Sequence, residues 1–82
     1  REFKRALALD AGNAYIHMWY AWYLGLMGRF EESFQAYQRA LELDPLSEMI
    51  NTSVGIVSYW AGQPERAVAR LQKVLELNPN YS

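Results

Sequence analysis

The chain has 82 residues, 51% of them hydrophobic and 15% aromatic, and its eight Lys and Arg against nine Asp and Glu leave a net charge of −1. A chain this short buries only about 60% of the surface its unfolded form exposes, so it reads as a single small globular domain, 1–82, with a thin core. The balanced charge supplies no clustered basic face for phosphates, so nucleic acid is not an expected partner; the absence of cysteine removes disulfides, thiolate catalysis and zinc–thiolate sites.

In chain order, Arg1 to Asp10 opens on a helical pattern with no initiator methionine, so the sequence is expected to be part of a longer polypeptide. Asn13 can cap a helix from Ala14 to about Met27 by accepting from a free N–H of the first turn. The most apolar run, Met18 to Met27, is far short of the roughly 20 residues of a membrane span, so no membrane is expected as a partner. No leader is visible, and the absence of cysteine does not decide between the cytoplasm and an exported location; the cytoplasm is the expected compartment. Gly28 permits a turn, and the next helix runs from about Phe30 to Leu43, with Glu31 and Glu32 in the turn where the helix dipole favours negative charge and Arg39 towards its end. Asp44-Pro45 stops it, because the residue before proline is pushed out of helical geometry. Ser47 caps a further helix from Glu48 to about Ala61, Gly62 turns the chain, and Pro64 sits where a first helical residue has no intrahelical partner to lose. Asn78-Pro79 ends the last helix.

Compared with itself, the sequence repeats every 34 residues. YQRALELDP at 37–45 aligns with LQKVLELNP at 71–79 and with FKRALALDA at 3–11, and Gly28, Glu31, Ser33 and Phe34 align with Gly62, Glu65, Ala67 and Val68. Two full units, 14–47 and 48–81, follow the second helix of a truncated one at 1–13. The period of 34, the small residues Ala21 and Gly55, the turn glycines, Ser33 and Ala67, Tyr37 and Leu71, and the RALELDP-like endings together resemble tetratricopeptide repeats over essentially the whole chain. The resemblance implies an all-α solenoid of antiparallel helix pairs, about five helices here, serving as a protein-interaction scaffold. His17 and Asn51 stand where the family's early tryptophan is usual, and Ala11 where proline is expected, which weakens packing locally. The stretch HMWYAWYLGLMGRFEES, with the linker LDPLSEMIN, is further similar to repeats behind signalling or winged-helix regulatory domains of bacterial proteins.

One helix pair cannot cover both of its apolar faces, so it must stack on a neighbour, and without a polar cap the stacking surfaces beyond Leu71 and Leu75 and before Phe3 are expected to be open unless another chain covers them. At about 100° per residue, Tyr20, Ala21 and Leu24 turn inward against Phe34, Tyr37, Ala40 and Leu41, and Val54, Gly55 and Ser58 lie opposite Val68, Leu71, Val74 and Leu75. The resemblance places the binding surface on the other face of the first helix of each pair. Tyr15, Met18, Trp22, Gly25 and Leu26 occupy it in one unit and Met49, Thr52, Ile56, Tyr59 and Trp60 in the next, nearly all apolar or aromatic. A continuous patch of that kind is normally covered. Adjacent repeats, an apolar helix or peptide of another protein, and a second copy forming a homo-oligomer all fit it. Lys, Arg and Asn are absent from these positions, whereas chaperone-binding members of the family hold a C-terminal carboxylate with such residues, so an acidic tail is not the expected ligand.

No enzymatic reading survives. The single histidine, His17, has no Cys or Asp at ligand or triad spacing, and Gly25 and Gly28 lack the following Lys-Ser or Lys-Thr of a phosphate loop. Glu31 and Glu32 read as solvated charges at a helix start, and Glu2 with Lys4 and Arg5, or Glu65 with Arg66 and Arg70, as exposed pairs. No metal or cofactor is expected, and the repeats are expected to serve either as a peptide-binding groove, as an assembly element, or as the regulatory region of a larger signalling or transcription protein.

Overall fold

A computed structural model of the chain describes residues 2–77. Within them lie five helices: α1 (Glu2–Leu9), α2 (Ala14–Leu26), α3 (Phe30–Leu43), α4 (Glu48–Trp60) and α5 (Pro64–Leu77). They form two antiparallel pairs, α2 with α3 and α4 with α5, stacked so that α4 packs on both members of the first pair while α1 packs on α2. The short dimension of the stack is 17 Å, less than two helix diameters, so every helix reaches the surface.

Local chemistry sets the helix ends. The Asn13 side-chain carbonyl accepts from the N–H groups of Tyr15 (2.9 Å) and Ile16 (3.3 Å), and the Ser47 hydroxyl accepts from the N–H of Ile50 at 3.1 Å, each satisfying orphan donors of a first turn. Gly28 and Gly62 turn the chain at φ of 78° and 76°, values that cost an L side chain about 1–2 kcal/mol. α2 and α4 each end one residue earlier than expected, with Met27 and Ala61 as their C-caps. Asn78 and Pro79, expected to end α5, lie outside the described residues.

The core runs through Met18, Ala21, Leu24, Tyr37, Ala40, Ile50, Val54 and Val57, all 4% exposed or less. Small residues set the approach of the helices. Ala21 is wholly buried, and the buried hydroxyl of Ser33 on α3 donates to its carbonyl at 2.7 Å. The Tyr37 hydroxyl, on α3, shares a buried hydrogen bond with that of Ser53 on α4, and burial, opposed in part by that hydrogen bond, pushes its pKa up to about 12.

Asn51 packs differently from expectation. It is wholly buried, and its amide nitrogen donates to the carbonyls of Ser47 (2.8 Å) and Pro45 (3.3 Å) while its side-chain oxygen accepts from Arg70 Nη1 at 2.8 Å. The position replaces aromatic packing with a polar clamp that holds the α3–α4 loop, α4 and α5 together. His17, its counterpart, donates through Nε2 to the Ala11 carbonyl at 2.7 Å, fixing the α1–α2 turn. Arg70 forms no ion pair among the described residues, and Arg66 donates to Gln63 at 3.0 Å while its guanidinium lies 4.1 Å above the Phe34 ring. The ion pairs among the described residues are Arg29–Glu32 and Arg39–Glu42. Glu32, expected as a free charge, is gripped by Arg29 at 2.5 and 2.8 Å, with both side chains about half exposed. The side chains of Glu2 and Phe3 are outside the described ones.

The repeat explains which surfaces stay open. Val68, Leu71 and Leu75 of α5 are 53%, 45% and 54% exposed: their inner side was expected to pack opposite Val54 and Ser58, and the stacking surface beyond Leu71 and Leu75 to stay open. Their equivalents 34 residues earlier, Phe34, Tyr37 and Leu41, are buried or partly buried in the core that α4 completes. Leu71 does reach α4, where a Cβ at Gly55 would sit 3.3 Å from it, but its outer side, like that of its neighbours, has no helix over it among the described residues.

Candidate protein-binding groove

α2 and α4 are the first helices of consecutive repeats and lie side by side, so a groove runs between them. It encloses about 570 Å³ and is lined by Met18, Trp19 and Trp22 from α2 and by Glu48, Met49, Thr52, Ser53 and Ile56 from α4. Trp19 (51% exposed) and Met49 (57%) stand up on opposite walls, Ile56 is 37% exposed, and Met18 forms the floor at 2%. Trp22 is half-buried and stacks on Trp60, with ring centroids 5.0 Å apart and planes tilted by 50°, a geometry aromatic pairs favour. Glu48 is the one charged residue of the lining.

Five of the expected positions, Met18, Trp22, Met49, Thr52 and Ile56, thus meet in one groove, and Trp60 joins them through Trp22. Tyr15, Leu26 and Tyr59 are exposed but do not line it. Met18 and Gly25 are displaced from the exposed face because α4 packs on that flank of α2: a Cβ on Gly25 would lie 3.1 Å from both Val57 methyls. The open arc of α2 is therefore turned by roughly one residue relative to the wheel, and Trp19, which the sequence reading passed over, takes the place of Met18. Its spacing from Tyr15 and Trp22, four and three residues, was a legible sign. The positions 34 residues after Met18 and Gly25 are Thr52 and Tyr59. Tyr59 is 69% exposed, so it belongs to the uncovered flank of the second repeat, alongside Val68 and Leu71, and not to the groove.

Among the described residues no group of three or more His, Cys, Asp or Glu is placed to hold a metal, and no helix is long and apolar enough to cross a membrane. The lining offers contact area, one carboxylate and two hydroxyls.

Two family models, both described as tetratricopeptide repeat, match the chain at residues 14–47 and 55–81, the first taking in α2 and α3 and the second the latter half of α4 and all of α5. The chain belongs to the tetratricopeptide repeat family. As a tetratricopeptide repeat protein the chain is a helical scaffold of the kind that mediates protein–protein contacts. It is similar to the type IV pilus assembly protein PilF of Pseudomonas aeruginosa, 36% identical over 84 aligned residues that take in 96% of this chain and 32% of that protein. It is also similar to a protein CTR9 homolog of Arabidopsis thaliana, 37% identical over 54 residues, 65% of this chain and 5% of the relative. The chain therefore spans a third or less of the relatives' lengths.

Proposed function

We propose that the chain binds an apolar helix or extended peptide of a partner protein in the α2–α4 groove. The observation that carries this reading is the pair of facing walls made by Trp19 and Met49, both half exposed over the buried Met18, with Ile56 between them and Trp22. An aromatic ring and a flexible thioether held half in water lose hydration when covered, and methionine adapts its shape to an irregular ligand. Tilted stacking on Trp60 holds Trp22 at the groove before any ligand arrives, so little ordering is required on binding. Trp22→Ala is expected to weaken partner binding by about 2 kcal/mol, roughly thirtyfold, with Met49→Ala as a second variant that leaves the Trp22–Trp60 contact in place. Titration of the natural partner against both variants tests it, and undiminished affinity in the two would sink the groove model.

A second reading, self-association, draws on a different observation: the uncovered flank formed by Tyr59, Val68, Leu71 and Leu75, whose equivalents in the preceding repeat are covered by a helix. Light scattering over a concentration series separates the two, because one constant monomer mass removes the assembly role and leaves the groove untouched. The bacterial relative is named as a pilus assembly protein, which suits either role. A place behind a regulatory domain rests on the sequence likeness of the 17–33 stretch.

A further inference from the structure

We infer that the ligand of the α2–α4 groove carries a lysine or arginine at the end that lies over the start of α4, where Glu48 and Trp19 receive it; the inference rests on the groove reading above. Glu48 is exposed, makes no ion pair among the described residues, and is the single charge in a lining that contains no Lys, Arg or His. A segment filling the groove takes part of the water from this carboxylate. A carboxylate taken out of water must be compensated by a cation or by donors. The neutral donors of the lining are the Thr52 hydroxyl and the indole N–H groups of Trp19 and Trp22, Ser53 being engaged with Tyr37, and none of them carries a positive charge. The start of α4 favours a negative charge at Glu48, but this was already so before any ligand arrived and offsets none of the new desolvation. A positive charge on the partner compensates the carboxylate more fully than these neutral donors do.

The geometry also suits a cation of that kind. Trp19 is half exposed on the facing wall, and an indole face attracts ammonium and guanidinium groups, while the aliphatic stem of lysine or arginine covers apolar surface such as Met49. At the other end Trp22 and Trp60 meet with no charged residue in the lining. The groove is thus polarised, basic ligand residue towards the N-terminus of α4 and apolar residues towards its C-terminus, and it favours one direction of a bound helix or strand.

A random peptide library displayed on phage, selected in parallel against the wild-type chain and Glu48→Lys, tests this. The wild type is expected to enrich apolar anchors flanked on one side by Lys or Arg, and Glu48→Lys to keep the anchors while exchanging that flank for Asp or Glu. For a peptide selected on the wild type, Glu48→Gln is expected to weaken binding about two- to fivefold, the range of an exposed charge pair, and replacing the peptide's basic residue by alanine is expected to abolish that difference. Apolar anchors with no charge preference, or a preference that Glu48→Lys leaves unchanged, would overturn the inference while the groove reading stands. Selected peptides that bind Trp22→Ala and Met49→Ala undiminished, or no enrichment at all, would overturn the groove reading and the inference with it.

Discussion

Replacing Asn51 by alanine probes the polar clamp between the two helices of the second repeat. The substitution removes the acceptor of Arg70 Nη1 (2.8 Å) and the donor to Pro45 (3.3 Å) and Ser47 (2.8 Å). A hydrogen bond to a charged group contributes about 1.5–3 kcal/mol and a neutral one about 1 kcal/mol. The Ser47 carbonyl keeps the backbone N–H of residue 51, so its loss is small, and the better helix propensity of alanine returns about 0.6 kcal/mol. The expected cost is about 2–3 kcal/mol, a large share of the roughly 4–12 kcal/mol that a chain of this length commands. Urea unfolding followed by far-UV circular dichroism reads it as a lower midpoint at unchanged slope. Arg70→Met removes the other partner, and the double variant is expected to show a coupling energy of about 1–2 kcal/mol. A cost for Asn51→Ala below about 0.5 kcal/mol, or additive behaviour of the pair, would refute the clamp.

Other outcomes follow from the same structure. Because burial raises the Tyr37 pKa to about 12 from an ordinary value near 10, the folded state holds that proton more tightly than the unfolded chain. Tyr37→Phe is therefore expected to lose the part of the stability decline, up to about 2 kcal/mol, that falls between pH 10 and 12, read by comparing denaturation midpoints of the two proteins across that window. Gly28→Ala, at φ of 78°, is expected to cost about 1 kcal/mol in thermal unfolding without changing peptide affinity, and a neutral result would refute the left-handed turn. Leu75→Glu, at a side chain 54% exposed, is expected to shift stability by less than about 0.5 kcal/mol while reducing any concentration-dependent mass seen by light scattering.

What could be read without coordinates was what depends on near neighbours in sequence. Asn13, Ser47, Gly28 and Gly62 act within a few residues, so composition and spacing located every described helix to within a residue or two. The 34-residue period then supplied the pairing. What escaped was set by contacts between helices far apart in the chain. The flank of α2 that α4 covers depends on the Val57 methyls reaching Gly25, and no wheel drawn on α2 alone contains that information, so the burial of Met18 was not legible, whereas the spacing of Trp19 from Tyr15 and Trp22 was. Likewise Asn51 and Arg70 stand nineteen residues apart on different helices, and a polar residue in an aromatic position gave no sign of which donor would satisfy it.

The contrast between α4 and α5 sets how the molecule comes apart. Seven residues of α4 are buried but only Ala67 of α5, and in a linear stack each helix draws its stability from its immediate neighbours. Opening is therefore graded, with α5 separating at a fraction of the free energy of global unfolding. Native-state amide exchange would resolve this as fast exchange along α5 ahead of α4. A helix laid over Tyr59 and Leu71, from whatever source, would slow exchange in α5 without touching the groove, so the two surfaces can be told apart by which amides each ligand protects.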